Sequence, residues 1–343
     1  MNTSKVHTNQ VFTLSPARCD NYPLSSSMTM FSKSVIRTAT VAFRTRLPFH
    51  SSIQNGAFTS VPMSVLRCGF ATQPVSKTLP SAVSPRSSEH ALCLVSSQNG
   101  IKRIVLNNPR KRNALSLEMM EEILRHLKDD KDYPRLIVLS ANGPVFSSGH
   151  DLKELKTDTG KLHHEKVFST CTLLMCAIED APVPVLAVVN GVAAAAGCQL
   201  VASCDMVVAS KISQFSTPGV SNGLFCSTPS IPLIRAIPKK VAAKMLYTGD
   251  SISAQEALQC GLVTSVVEES QLEEETLRIA NRICEKSPAV VRLGKEFLNR
   301  QRGMDRTAAY RDGERTMLKN LKMDDCQEGI SAFFEKRKPS WTS

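Results

Sequence analysis

From Ala91 onward, short runs of β-forming residues alternate with longer amphipathic stretches, and the order repeats. Such alternation is how an α/β chain covers a sheet with helices, so it argues against a bundle or a sandwich. Ala91–Val95 and Ile101–Leu106 flank Gln98-Asn-Gly100, a pair of strands around a tight-hairpin signal. Leu117, Met120, Ile123, Leu124 and Leu127 then recur at helical spacing, with Ser116 placed to cap the first turn. Arg135–Ser140 reads as a strand, Leu162–Ile178 as a helix and Val183–Val189 as another strand. A turn at Asn190-Gly191, a small-residue helix from about Ala195 and a strand at Met206–Ala209 complete the repeat. Ser253-Ala-Gln-Glu256 is a capping box for a helix that stops at Gly261, and Leu262–Val267 reads as the last strand. Beyond about Glu273 the pattern is helical. Apolar stripes at Val290, Leu293, Phe297 and Leu298, and at Ile330, Phe333 and Phe334, need a partner surface.

Charge separates a leader from the rest. Residues 1–88 carry nine Lys or Arg against the single acid Asp20, so of a net charge of +11 only +3 remains for residues 89–343. A basic surface for nucleic acid is therefore not expected. The leader is rich in Ser and Arg, and wound as a helix Met30–Leu47 separates Phe31, Val35, Ala39 and Ala42 from Lys33, Arg37 and Arg44. That pattern suits a mitochondrial transit peptide, with a disordered tail as the alternative. No stretch approaches the roughly 20 apolar residues of a membrane span. The eleven cysteines form no C-x-x-C pair. Cys171, Cys176, Cys198, Cys204 and Cys284 sit in apolar runs and read as buried free thiols, which implies a reducing compartment, matrix or cytosol. His163 and His164 lack partners at ligand spacing, so no metal is expected.

Two junctions of small residues carry the chemistry. Ser148-Gly-His-Asp151 and Ala193-Ala-Ala-Ala-Gly-Cys198 both read as strand-to-helix turns that leave backbone N–H groups unpaired. Two of them converging would stabilise a developing anion. Plain packing is the other reading: alanines favour helices, and Asp151 with Glu154 marks a helix start.

These segments, together with Asn108-Pro-Arg-Lys-Arg-Asn-Ala-Leu115, Pro184–Gly191, Gly197–Asp205, Thr248-Gly-Asp250, Ser253–Ala257 and Glu335–Pro339, resemble the enoyl-CoA hydratase (crotonase) family. The likeness runs from about Ile101 to Pro339 and implies a ClpP-like spiral of β-β-α units over residues 89–272. It also implies a C-terminal helical region, 273–343, that joins subunits into trimers, sometimes paired into hexamers. The resemblance assigns the anion-stabilising donors to the backbone N–H groups of His150 and Ala196. It assigns contacts with CoA to Arg110, Lys111, Arg112, Ala114, His150, Asp151, Leu152, Lys153, Ala196 and Gly197, with Lys153, Arg112 and Lys336-Arg-Lys338 as candidates for its phosphates. CoA enters as part of the thioester, and no covalently bound cofactor is implied.

In hydratases of this family two glutamates hold a water and exchange protons with the substrate. Those positions fall on Gln199 and Gly219 here. Glutamine keeps a shape but moves no proton, and glycine keeps neither. General acid–base groups are each worth about 10²–10⁴-fold, so hydration is expected to be marginal. Ser221, Asn222, Cys226, Ser227, Thr228, Asp180 and Asp205 are possible polar contacts to an acyl head. His150 shows no orienting partner in the sequence, so catalytic use and a ring pointing away both stay open. Ser148 is too near it in sequence to act as its nucleophile. The expectation is a mitochondrial protein of fatty-acid metabolism that binds acyl-CoA without true hydratase activity. An isomerase or decarboxylase and a regulatory acyl-CoA binder are alternatives, with RNA binding last.

Overall fold

The computed structural model describes residues 91–128 and 134–343; the leader reading for residues 1–88 lies outside the described residues. Strands β1 (Cys93–Gln98) and β2 (Ile101–Leu106) pair antiparallel with Gln98 opposite Ile101. Asn99 and Gly100 both have positive φ (54° and 76°), the turn geometry that matches strand twist. Helix α1 (Leu117–Lys128) buries Met119, Met120, Ile123 and Leu127, and Ser116 Oγ accepts the Met119 N–H at 3.3 Å.

A β-β-α unit then occurs three times. The first is β3 (Leu136–Ala141), β4 (Val145–Ser147) and α2 (Lys161–Glu179), the second β5 (Val185–Val189), β6 (Val192–Ala194) and α3 (Ala196–Ser203). The third is β7 (Met206–Ser210), β8 (Gln214–Ser216) and α4 (Ser227–Ala236). Helix α5 (Lys239–Thr248), strand β9 (Ile252–Ser253), helix α6 (Ala254–Cys260) and strand β10 (Ser265–Val267) follow. The long strands form a six-stranded sheet ordered β1-β2-β3-β5-β7-β10, and the short ones a four-stranded sheet ordered β4-β6-β8-β9. Each unit thus leaves one sheet, adds a strand to the other and returns through a helix, which is the spiral that the resemblance implies.

The large sheet is apolar on both faces, as parallel sheets covered on both sides are. Ile137 and Leu139 of β3 face the main core with Phe146 and Phe215, while Leu136 and Val138 face a second cluster with Leu186, Val208 and Ala280. Ala280 belongs to α7 (Leu272–Cys284), which covers that second face. Helices α8 (Pro288–Gln301), α9 (Arg306–Leu321) and α10 (Asp324–Glu335) complete the chain. Phe333 and Phe334 on α10 are 79% and 77% exposed, so this apolar stripe has no cover among the described residues.

Val192–Ala194, which the sequence reading leaves between the Asn190-Gly191 turn and the helix from about Ala195, is a strand set by its place beside β4 and β8. Two local readings are corrected. The last strand starts only at Ser265, because the Leu262 and Val263 N–H groups turn back to the Ala257 carbonyl and close α6. Cys176 is exposed on α2, whereas Cys171 and Cys198 are buried. Among the described residues no helix is long and apolar enough to cross a membrane, and no His, Cys, Asp and Glu group is arranged to hold a metal ion.

Candidate functional site

Two strand ends meet because glycines let them touch. A β-carbon on Gly149 (φ 89°) would lie 2.8 Å from the Ala195 β-carbon and 3.1 Å from the Ala196 nitrogen. One on Gly197 would lie 2.5 Å from the Ser147 carbonyl oxygen. Ala195 itself has φ 50° and ψ −119°, a region that costs a non-glycine residue about 1–3 kcal/mol. Its N–H donates to Ser216 O at 2.9 Å, which anchors the turn to β8 and aims the free amides of the first turn of α3 at the junction. Among the described residues the His150 and Ala196 N–H groups have no backbone acceptor. Both residues line one cavity of about 370 Å³. Gly149→Ala combines a disfavoured φ with overlap, so urea unfolding should show a loss of about 1–3 kcal/mol.

The His150 ring has the orienting partner that the sequence did not reveal. Its Nδ1 lies 3.3 Å from the Leu115 carbonyl oxygen, and its ring meets Phe168 edge-on at 5.5 Å. A carbonyl only accepts, so Nδ1 carries the proton and Nε2 a lone pair in the neutral ring. Nε2 is buried and has no hydrogen-bond partner among the described residues. Burial pulls the imidazole pKa below its ordinary value, against the opposing pull of the Leu115 carbonyl.

The two expected acid positions differ in kind. Gln199 is 4% exposed, and its Oε1 accepts the Cys171 thiol at 3.9 Å, with that thiol pushed up to about 12 by burial. It does not line the cavity. Gly219 does line it, but a β-carbon there would lie 2.4 Å from Leu224 O and 2.8 Å from Cys226 Sγ. Among the described residues no Asp or Glu lines this cavity. Its walls are mostly apolar, from Leu152, Leu155, Phe168, Leu224 and Phe225, with Asn222, Cys226, Ser227 and Thr228 at one side. Phe168 and Leu155 lie outside the sequence-predicted set; an aromatic on a helical stripe carries no signal that distinguishes a pocket wall from core.

Other candidates fall elsewhere. Asp205 accepts the Val185 N–H at 2.7 Å and the Lys295 ammonium at 2.6 Å, so it holds the fold together. Asp180 lines a separate cleft with Arg235 and Arg302, and Ser221 is absent from the cavity wall.

A second cleft of about 280 Å³ is lined by Lys111, Ala114, Ser148, His150, Asp151, Leu152 and Lys153, and shares Ser148, His150 and Leu152 with the first. Asp151 caps a single 3-10 turn, Leu152–Leu155, by accepting the Lys153 N–H at 3.0 Å. Arg110 and Arg112 are exposed but do not line this cleft, although the Arg112 carbonyl accepts the Ser148 N–H at 3.1 Å. Arg337 is clamped by Glu328, at 2.6 and 2.8 Å, and by Glu335, so it is already neutralised within its own helix end. Asn113, fully buried with φ 49°, lies outside the predicted set and builds the loop. Its amide donates to Asn142 O and Val145 O, and its Oδ1 accepts the Asn108 N–H. An asparagine between two small turns is the signal that could have found it.

The family model for enoyl-CoA hydratase/isomerase matches residues 96–343, and the chain belongs to that family. Within it, the chain is 56% identical over 255 residues to enoyl-CoA hydratase domain-containing protein 3, mitochondrial, of Danio rerio, covering 74% of this chain and 88% of that protein. The Homo sapiens protein of the same name is 52% identical over 265 residues, covering 77% and 88%. Among solved structures, that of human enoyl Coenzyme A hydratase domain-containing protein 3 aligns with a TM-score of 0.72 at 52% identity, over 73% of this chain and all of that one. An enoyl-CoA hydratase from Mycobacterium smegmatis aligns with a TM-score of 0.72 at 40% identity, covering 74% and 100%.

Proposed function

We propose that this chain is a mitochondrial crotonase-like protein that binds fatty acyl-CoA, or a related CoA thioester, and serves fatty-acid metabolism without true enoyl-CoA hydratase activity. One observation carries the reading: His150 and Ala196 line a cavity in whose wall, among the described residues, no carboxylate stands. In this reading the thioester oxygen sits against those amides, each worth about 2.7–4 kcal/mol in a transition state. The acyl chain occupies the apolar cavity, while the Lys111 and Lys153 cleft takes the phosphate end of CoA. The names of the relatives support the compartment. The exposed Phe333 and Phe334 support a homotrimer or hexamer. Reactions that need an enolate but no bound water, isomerisation or decarboxylation, remain compatible with this cavity.

Calorimetry of the full chain with octanoyl-CoA tests the pocket, and loss of the conjugated thioester absorbance of crotonyl-CoA tests hydration. Saturable octanoyl-CoA binding with no loss of absorbance is expected. Brisk hydration refutes the inactivity. Failure to bind any CoA thioester refutes the ligand.

A further inference from the structure

Among the described residues, the cavity that receives the acyl group in the proposed function has one neutral base in its wall. Its described lining residues include no Asp, Glu, Lys, Arg or Tyr, and the titratable ones are His150 and Cys226. Burial pushes the Cys226 thiol up, so it stays a protonated, weakly basic sulfur. His150 is held the opposite way. The Leu115 carbonyl fixes the proton on Nδ1, Phe168 fixes the ring plane, and Nε2 is left as a buried lone pair with no partner. An orphaned buried acceptor costs a fold about 1–3 kcal/mol, and such groups concentrate where a ligand or a reaction uses them. The same residue contributes the backbone N–H expected to meet the thioester oxygen, so the base and the anion-stabilising donor stand on one residue.

We propose that His150 Nε2 is a proton acceptor for enolisation of a bound acyl-CoA at the carbon next to the thioester carbonyl, an assignment that rests on the CoA-thioester reading above. In the step the α C–H bond breaks and its proton goes to Nε2. The electron pair forms the carbon–carbon double bond of an enolate, and the charge moves to the thioester oxygen against the His150 and Ala196 amides. Return of a proton to the α carbon exchanges it with solvent, and return to the γ carbon of an unsaturated chain moves the double bond. Neither outcome needs the two glutamates of a hydratase or any co-reactant.

The test is deuterium exchange into octanoyl-CoA incubated with the full chain in heavy water, read by mass spectrometry. A single base works from one face, so the wild type should add one deuterium at the α carbon. His150→Gln and His150→Phe keep the backbone N–H at position 150. Both should exchange at least about 100-fold more slowly when octanoyl-CoA is saturating by calorimetry, so that a change in affinity does not enter the comparison. If one variant does not fold, the other carries the comparison. Wild-type binding without exchange overturns the assignment and leaves the ligand reading standing, as does either variant exchanging at the wild-type rate. Absence of binding in the wild type overturns both.

Discussion

Lys295→Met should cost about 3–5 kcal/mol of unfolding free energy, because it removes an almost fully enclosed ammonium together with its ion pair and two carbonyl hydrogen bonds. Lys295 is 5% exposed, and its ammonium donates to Ile178 O and Val183 O, each at 3.0 Å, and to Asp205 Oδ2 at 2.6 Å. All three hydrogens are used, and methionine replaces none of them. Two carbonyls, one at the end of α2 and one in the loop before β5, lose their donor. Asp205, which also accepts the Val185 N–H, loses its counter-charge. The bridge fastens α8 to the turn between α3 and β7, so the loss falls on the joint between the terminal helices and the spiral. Urea denaturation should show a lower midpoint at unchanged slope. Asp205→Asn keeps an oxygen for the ammonium but leaves Lys295, 5% exposed, without its counter-charge, so it should destabilise the chain as well.

What was legible in the sequence was local. The hairpin was carried by Asn99-Gly100, and the start of α6 by Ser253 and Glu256, which bond each other as a capping box with Glu256 N to Ser253 Oγ at 3.2 Å and Ser253 N to Glu256 Oε2 at 2.8 Å. Each signal lies within four residues, so neighbouring chemistry suffices to specify it. The Gly149 and Gly197 positions were legible for a related reason: only glycine permits the close approach they make. The three-residue strands of the small sheet were not, because a run as short as Val192–Ala194 has no period and owes its conformation to strands far along the chain. The same limit hid the Leu115 carbonyl at the His150 ring, 35 residues away, and the Glu328 carboxylate that occupies Arg337. It also hid the packing of Leu224 and Cys226 against Gly219, which changes what that glycine means.

Restoring both glutamates should therefore fail to restore hydration: Gln199→Glu with Gly219→Glu is expected to leave the rate of crotonyl-CoA hydration within about tenfold of the wild type. If the missing carboxylates alone accounted for the proposed inactivity, two recovered acid–base groups would raise the rate by about 10⁴–10⁸-fold. Geometry opposes both replacements. At 199 the side chain is enclosed between α3 and α2 against the Cys171 thiol, where burial would hold a carboxyl in its neutral form and away from the cavity wall. At 219 the first carbon of any side chain overlaps a backbone carbonyl at 2.4 Å, which cannot swing aside as the end of a flexible side chain would. A glutamate there must displace the 224–226 segment, and with it part of the cavity wall. Gly219→Ala separates this steric effect from charge, since it should destabilise the chain by about 1–3 kcal/mol on its own. A double variant that hydrates crotonyl-CoA briskly, read as loss of the conjugated thioester absorbance, would show that the segment yields and that the missing acids were the whole deficit. The expected silence instead means that the chain closed over the second acid's place, so that regaining the reaction would require rebuilding residues 224–226 before any proton carrier is supplied.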